Sequence, residues 1–544
     1  MKKVLLSIMT VICLLTFAEE GARYLIITVD ALAPVVQPLA DWKHYSGMQC
    51  KVVKLSEIGT PADTTAIKNY IRNAYNNWPV RPEYVLLVGS PSSLPARFYR
   101  VQGGYGYYSD NIYGDVNSDL YMDIPVGRFN ASSAIQCSVM VAKTLAYERY
   151  PHLTDSLWMR KLTTVVREND DSDDTIYWND IRLFARLADS NGFVGCDSLS
   201  YLTGNHTWED VVNSINNGTG IVIYRGNGVS NWYQPFNVNP YLTSNGKKLP
   251  VILSITCETM TLAPYEQMVA DSWVKAGTVN SLKGAVAFFG NTHTLPSSNS
   301  TVRKRSAVAR AFAKALFTEG KTKLGLAMIR AKDSLYREFS DIAEYRGFNL
   351  LGDPDLDIWT ATPKLPTVEH PEVIPPEPQV FTVRVLLNEQ PFQNALVCIS
   401  IDSLIYEYGY TNDSGAITFN INPPDTGRLR LVITGHNLYP YDTLIPVAQV
   451  GVHEFPPTTA PAKVVASPQV FRYITRLSFG SLINPSATEI VIFDVSGRPV
   501  RTLKGIKTKL VWDGTDDNGT PCPTGVYLCG LRNSSVRTKV LKVH

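Results

Sequence analysis

Gly220-Ile221-Val222-Ile223-Tyr224-Arg225-Gly226-Asn227-Gly228-Val229-Ser230 and Val251-Ile252-Leu253-Ser254-Ile255-Thr256-Cys257-Glu258 share one pattern: a short apolar run that breaks into small and polar residues. Apolar runs of this length without alternation are expected of strands covered on both faces. Further runs lie on either side. Leu162-Thr163-Thr164-Val165-Val166 precedes them and Gly284-Ala285-Val286-Ala287-Phe288-Phe289 follows. Helical segments are expected near 177–189, 264–276 and 304–318. The same alternation occupies the first part of the chain. Tyr24-Leu25-Ile26-Ile27, Lys51-Val52-Val53 and Tyr84-Val85-Leu86-Leu87-Val88 read as strands, and Ile67, Tyr70, Ile71 and Ala74 recur at helical spacing. Strands alternating with amphipathic helices predict a mainly parallel sheet with helices on both faces. Two side-by-side α/β subdomains are expected, over 22–150 and 151–360.

Beyond residue 360 the pattern changes. Proline-rich stretches at 361–379 and 455–468 read as extended linkers. Between them, over 380–454, short alternating runs such as Thr382-Val383-Arg384-Val385-Leu386, with the turn Asn412-Asp413-Ser414-Gly415, predict a β-sandwich. The last segment, 469–544, is also β, with Asp/Asn/Gly turns at Asp494–Arg498 and Asp513–Gly519.

Bulk properties narrow the function. The 544 residues are 44% hydrophobic and 18% charged, so the chain is globular and too long for one core. A net charge of +2 gives no global field for nucleic acid. The run Arg303-Lys304-Arg305 reads as a solvated helix face. Lys2 and Lys3, the apolar run Val4–Phe17 and Ala18 match an export signal, residues 1–18, which makes the protein secreted or surface-bound. The eight cysteines show no zinc spacing; Cys522 and Cys529 flank a turn, either as a bridge or as buried thiols.

In open parallel sheets, sites form at the carboxyl ends of strands. Cys257 sits at one such end, and the glycine-flanked loop 226–228 at another. A thiol there is a candidate nucleophile. Glycine lets backbone N–H groups approach a substrate carbonyl, as an oxyanion hole requires.

Four stretches together resemble the gingipain-type cysteine peptidases. They are Ser109-Asp110-Asn111-Ile112-Tyr113-Gly114 with Asp123-Ile124-Pro125-Val126-Gly127-Arg128, then Tyr224–Trp232, then Thr256-Cys257, then Leu350-Leu351-Gly352-Asp353-Pro354. The resemblance implies an α/β caspase-like catalytic region of two subdomains, followed here by two all-β immunoglobulin-like domains. It implies a cysteine endopeptidase acting on proteins or peptides, with Cys257 as nucleophile, Gly228 as oxyanion N–H donor, and Trp232 and Asp119 in substrate binding. Asp119 would select a basic residue before the cut. No cofactor is required, and calcium is the one structural ion it allows, at Asp115–Asp119 or Glu168–Asp174. Residues 493–498, 512–514, 525–527 and 539–543 resemble sorting domains of the type IX secretion route, with outer-membrane secretion machinery as partner.

One position departs from the family. Asn227 stands where the family has the histidine that activates the cysteine. A carboxamide takes up no proton near neutral pH. His293, in Asn291-Thr292-His293 after the strand 285–289, is the candidate substitute base. Two functions follow: a working endopeptidase with a base other than residue 227, or a pseudopeptidase that binds peptides or surface partners through the same cleft.

Overall fold

Every residue of Tyr24–Thr28 (β1) is buried, and successive side chains enter opposite cores. Leu25 and Ile27 join one; Tyr24 and Ile26 join the other. This period-two division is why the strand reads as unbroken apolar sequence. β2 (Cys50–Lys54), β3 (Tyr84–Val88) and β4 (Val126–Phe129) complete the first half of the α/β region. The second half supplies β5 (Lys161–Val166), β6 (Gly195–Ser200), β7 (Ile221–Arg225), β8 (Val251–Glu258), β9 (Ala287–Asn291) and β10 (Phe348–Leu351). This computed structural model describes residues 21–101, 106–294, 299–402, 404–448, 464–479, 489–504, 509–531 and 537–543. The expected export signal at 1–18 and positions 455–463 of the second proline-rich stretch lie outside the described residues.

The expected pair of side-by-side units is one continuous sheet of ten strands, ordered β2-β1-β3-β4-β10-β9-β8-β7-β5-β6. Helices Thr64–Asn77, Asp173–Ser190, Asn299–Phe317 and Leu324–Phe339 cover one face through Ile67, Phe184, Val308 and Met328. Ala33–Tyr45, Ala134–Glu148, Trp208–Asn217 and Val269–Lys275 cover the other through Val36, Met140, Val212 and Trp273. Asp63 starts the first of these helices by accepting from the amides of Thr65 and Ala66 at 2.9 and 2.8 Å.

β10 closes the seam between the halves. It pairs antiparallel with β9 and touches β4 through Leu351 and Arg128. Gly127 and Gly352 meet here. A Cβ on Gly127 would stand 2.2 Å from the Gly352 carbonyl oxygen, and Gly352 itself has φ +143°. Neither position accepts another residue. Because β10 runs opposite to β9, its amino end shares an edge with the carboxyl ends of β7, β8 and β9. That brings the short helix Ile342–Gly347, which feeds β10, to the same rim.

The motifs that carried the resemblance are largely structural. Arg128, fully buried, donates from Nε and Nη2 to both oxygens of Asp110 at 2.7 Å, and from Nη1 to the carbonyls of Gly89 and Leu94. Asp353 accepts from the Tyr24 hydroxyl at 2.6 Å and pairs with Lys43 at 2.7 Å.

The first proline-rich stretch is not a free linker. Thr367–Glu369 pairs with Gln379–Leu387, and Ile374 is fully buried in the β-sandwich core. Four strands on each side, with Phe381, Val383, Ile399 and Leu431 between them, make that sandwich. It packs on the α/β region: the His44 and Tyr406 rings stack at 4.2 Å, and Arg149 pairs with Asp442 at 2.7 Å. The described residues from Val464 onward form two further sheets around Trp512, Phe471 and Tyr527. Cys522 and Cys529 are separate buried thiols.

Candidate active site

The registry of β7 and β8 places the two expected strand ends together. Tyr224 lies opposite Ser254 and Arg225 opposite Ile255. The next residues stay in step: the Thr256 hydroxyl donates to the Gly226 carbonyl at 2.6 Å, and the Ser230 amide to the Glu258 carbonyl at 2.7 Å. Asn227 and Cys257 therefore leave the same edge of the sheet on neighbouring strands. Beneath them, Arg225 is buried with Asp180 at 2.9 Å and lies over the Tyr177 ring.

Packing holds the glycine loop in shape. Gly226 has φ +149°, and a Cβ there would meet Arg167 Cβ at 2.7 Å; on Gly228 it would meet the Asn231 carbonyl oxygen at 2.9 Å. Asn227 is half-buried between two tyrosines. Tyr177 donates from its hydroxyl to Oδ1 at 3.4 Å, and Tyr224 to the backbone carbonyl at 2.5 Å. Trp232, expected to touch substrate, is 1% exposed. Its ring stacks on Tyr224 at 4.5 Å and its Nε1 donates to Ser254. That is a correction to the expectation: the side chain props the loop from inside and has no surface to offer a ligand.

Cys257 is an unpaired thiol, 7% exposed. Among the described residues, the side chain hydrogen-bonded to it is Arg305, whose Nη1 donates to Sγ at 2.8 Å. The same guanidinium donates from Nε and Nη2 to Glu344 at 3.1 and 2.8 Å. Arg305 belongs to the run read as a solvated face. On the helix Asn299–Phe317 only part of that run is solvated: Arg303 is exposed, while Arg305 is 4% exposed. Its spacing from Val302, Ala309 and Phe312 puts it in the buried stripe, a signal legible in the sequence. Glu344 has no such signal, because only the reversal of β10 brings its helix to this edge.

His293 reaches the rim, as its place after β9 implied, but it faces the carboxylate. Nδ1 lies 3.7 Å from Glu344, beyond hydrogen-bond length, and the ring packs on Tyr107 at 4.6 Å. Its backbone amide donates to Asn291 Oδ1, and Asn291 donates to Glu344 at 3.0 Å. No hydrogen bond joins His293 to Cys257 among the described residues. Burial alone would raise the Glu344 carboxyl; the Arg305 charge and its hydrogen bonds, with His293 nearby, outweigh burial and hold it at about 2, below the ordinary 4.5. The folded state thus binds this proton less readily than the unfolded chain. The stabilisation is complete above pH 4.5 and is lost as pH falls toward 2. Acid titration of unfolding is expected to lose up to about 3 kcal/mol across that window. Glu344→Gln is expected to start less stable and to lack this slope.

Asp119 is exposed in a turn, where its carboxylate takes the Tyr121 amide and the Asn117 carboxamide. In the acidic stretch read as a calcium candidate, Asp174 accepts the amides of Asn169, Asp170 and Asp171, and Glu168 those of Tyr201 and Leu202. These carboxylates shape the backbone. Among the described residues no group of three or more His, Cys, Asp or Glu converges on a metal position. Glu258, next to the thiol, is half-buried and accepts from the Thr294 hydroxyl at 2.8 Å.

The model of a family described as peptidase family C25 matches residues 17–359. Gingipain R2 of Porphyromonas gingivalis is 22% identical over 498 residues, 89% of this chain and 64% of that protein. Gingipain R1 of the same organism is 22% identical over 283 residues, 50% of this chain and 28% of that one. The chain thus spans less than two thirds of the length of these relatives. The crystal structure of the Arg-specific cysteine proteinase gingipain R matches with a TM-score of 0.69 at 20% identity, covering 79% of this chain and 98% of that one. At such identity the likeness speaks for the fold.

Proposed function

The chain belongs to peptidase family C25, and from that premise we propose that it is a secreted member that keeps the nucleophile Cys257 and the peptide cleft but is impaired in amide hydrolysis. One observation carries this reading: the strand end beside Cys257 bears the carboxamide of Asn227, and the group bonded to the thiol is a guanidinium, not an imidazole. Acyl transfer from an amide needs a base for the thiol proton and an acid for the leaving amine. Neither side chain can fill both roles. The N–H groups of Gly228 and Cys257 are the donors proposed for the oxyanion. Export rests on the pattern of residues 1–18, and the residues from 493 onward are proposed as the segment read by a type IX secretion apparatus. Among the described residues no helix is long and apolar enough to cross a membrane.

The test is turnover of an unfolded protein by the chain lacking residues 1–18, beside peptide binding by Cys257→Ala. Slow or absent cleavage with retained binding supports the reading; cleavage at ordinary peptidase rates overturns it. A second reading is favoured by His293 alone. The Nδ1 edge of its ring faces the Glu344 carboxylate at 3.7 Å, beyond hydrogen-bond length, which leaves Nε2 as the nitrogen for chemistry. If His293 is the base, His293→Ala abolishes whatever turnover the wild type has.

The Arg-specific relative supports basic peptides as ligands. With Asp119 as the proposed partner, Asp119→Ala is expected to weaken an Arg-containing peptide about fivefold, the scale of an exposed ion pair. Equal binding by the two proteins removes Asp119 from the cleft.

A further inference from the structure

The thiol at the rim is paired with a fixed cation, and nothing in the proposed reaction uses it. Arg305 is buried, and its fork is gripped on two nitrogens by Glu344, which Asn291 also holds. The third nitrogen points at Sγ, 2.8 Å away. A guanidinium stays protonated at any working pH and donates without accepting. A donor of this kind, rigidly aimed at sulfur, favours thiolate over thiol.

We propose that Arg305 holds Cys257 as a standing thiolate, which makes the site an acyl acceptor for donors whose leaving group departs as an anion. This rests on Cys257 being the nucleophile of the reading above. The two failures are separable, because one concerns which residue reacts and the other what activates it.

The step balances without an acid or a base. The sulfur lone pair attacks the carbonyl carbon of an activated ester, the C–S bond forms, and the carbon–oxygen bond breaks. The phenolate or other stabilised anion leaves with the electron pair. An amide cannot follow this route, since its nitrogen must gain a proton to leave, and neither Arg305 nor Asn227 can supply one. The S-acyl product also persists, because the side chain bonded to the sulfur is a guanidinium, which cannot activate water. The expected behaviour is one acyl transfer per chain and then arrest. In this geometry Arg305 is a charge partner of the nucleophile and touches no substrate. The other titratable and charged groups around the sulfur are Glu258 on its own strand, His293 after β9, Glu344 on its short helix, Arg225 on β7, Tyr224 at the end of β7, and Tyr177 on the helix Asp173–Ser190. Burial raises the Glu258 carboxyl, and the Arg305 pairing outweighs burial to lower that of Glu344, so the pH profile of the wild type is read against that of the Arg305 variant.

The probes are p-nitrophenyl acetate and iodoacetamide, both small enough for a sulfur that is only slightly exposed, applied to the chain lacking residues 1–18. The wild type is expected to give a burst of one nitrophenolate per chain and a protein heavier by one acetyl group on Cys257. An ordinary thiol, titrating near ~8.5, is thiolate to only about one part in 300 at pH 6. Alkylation of the wild type at pH 6 should therefore be about 10²-fold faster than that of Arg305→Met/Glu344→Gln. That double variant removes both charges and orphans neither. The gap should close near pH 9, where any thiol ionises, and Arg305→Lys should recover part of it. A merely structural arginine would leave the pH profile of alkylation, and the thiolate absorbance near 240 nm, unmoved. Equal rates at pH 6 for the wild type and the folded double variant overturn the proposal. Acetyl found on another residue, or a burst that survives Cys257→Ser, overturns the nucleophile assignment on which it rests.

Discussion

Asn227→His hydrolyses unfolded protein substrates about 10²–10⁴-fold faster than the wild type: that is the expected result, on the scale a positioned acid–base group contributes. The local frame favours it. Gly226 and Gly228 are locked by their neighbours, so the strand end delivers residue 227 beside Cys257 whatever side chain it bears. Asn227 is only half-buried, which leaves room for a ring. The Tyr177 hydroxyl, now bonded to the carboxamide at 3.4 Å, can donate to one imidazole nitrogen and leave the other facing the thiol. An imidazolium there supplies the proton that the leaving amine must gain, which Asn227 cannot. Steady-state cleavage of a fluorogenic peptide amide reads the effect, and it should appear in kcat rather than KM, because the substitution changes chemistry and not the cleft. A wild type already as fast as Asn227→His shows that another base is in place; abolition of that activity by His293→Ala then identifies it.

Asp110→Ala is expected to destabilise the α/β region by about 3–5 kcal/mol, the cost of leaving a buried cation without its partner. Arg128 is fully buried and spends two of its nitrogens on Asp110. Its remaining bonds, to the carbonyls of Gly89 and Leu94, neutralise no charge. The pair ties Ser109–Gly114 to β4, beside the seam where β10 joins the halves. The midpoint of chemical or thermal unfolding measures the loss. Asp110→Leu/Arg128→Met, which removes both charges, should recover much of it. A single variant within about 1 kcal/mol of the wild type would mean that water reaches Arg128 and that the pair is not the seam's anchor.

Strand periodicity and helix spacing made the α/β region legible, because both record local burial. Unbroken apolar runs at Tyr24–Ile27 and Tyr84–Val88 require cover on two faces, and Ile67, Ile71 and Ala74 mark a helix that provides it. The placement of Cys257 and residue 227 at strand ends was readable for the same reason, since a strand ends where its apolar run ends. Tertiary structure decided the rest. That the two halves share one sheet depends on β10, which is too short to announce its partners. Glu344 reaches the site only because that strand runs backward against β9. Trp232 looked like a ligand contact because sequence records an aromatic side chain but not which way it faces. Arg305 looked solvated because its neighbours are, although its buried face follows from helical spacing. Whether a histidine near a cysteine serves it or serves a carboxylate is a matter of a few ångströms between elements far apart in the chain. No local pattern encodes that distance, and packing fixed it by bonding Arg305 to Cys257 and setting His293 beside Glu344.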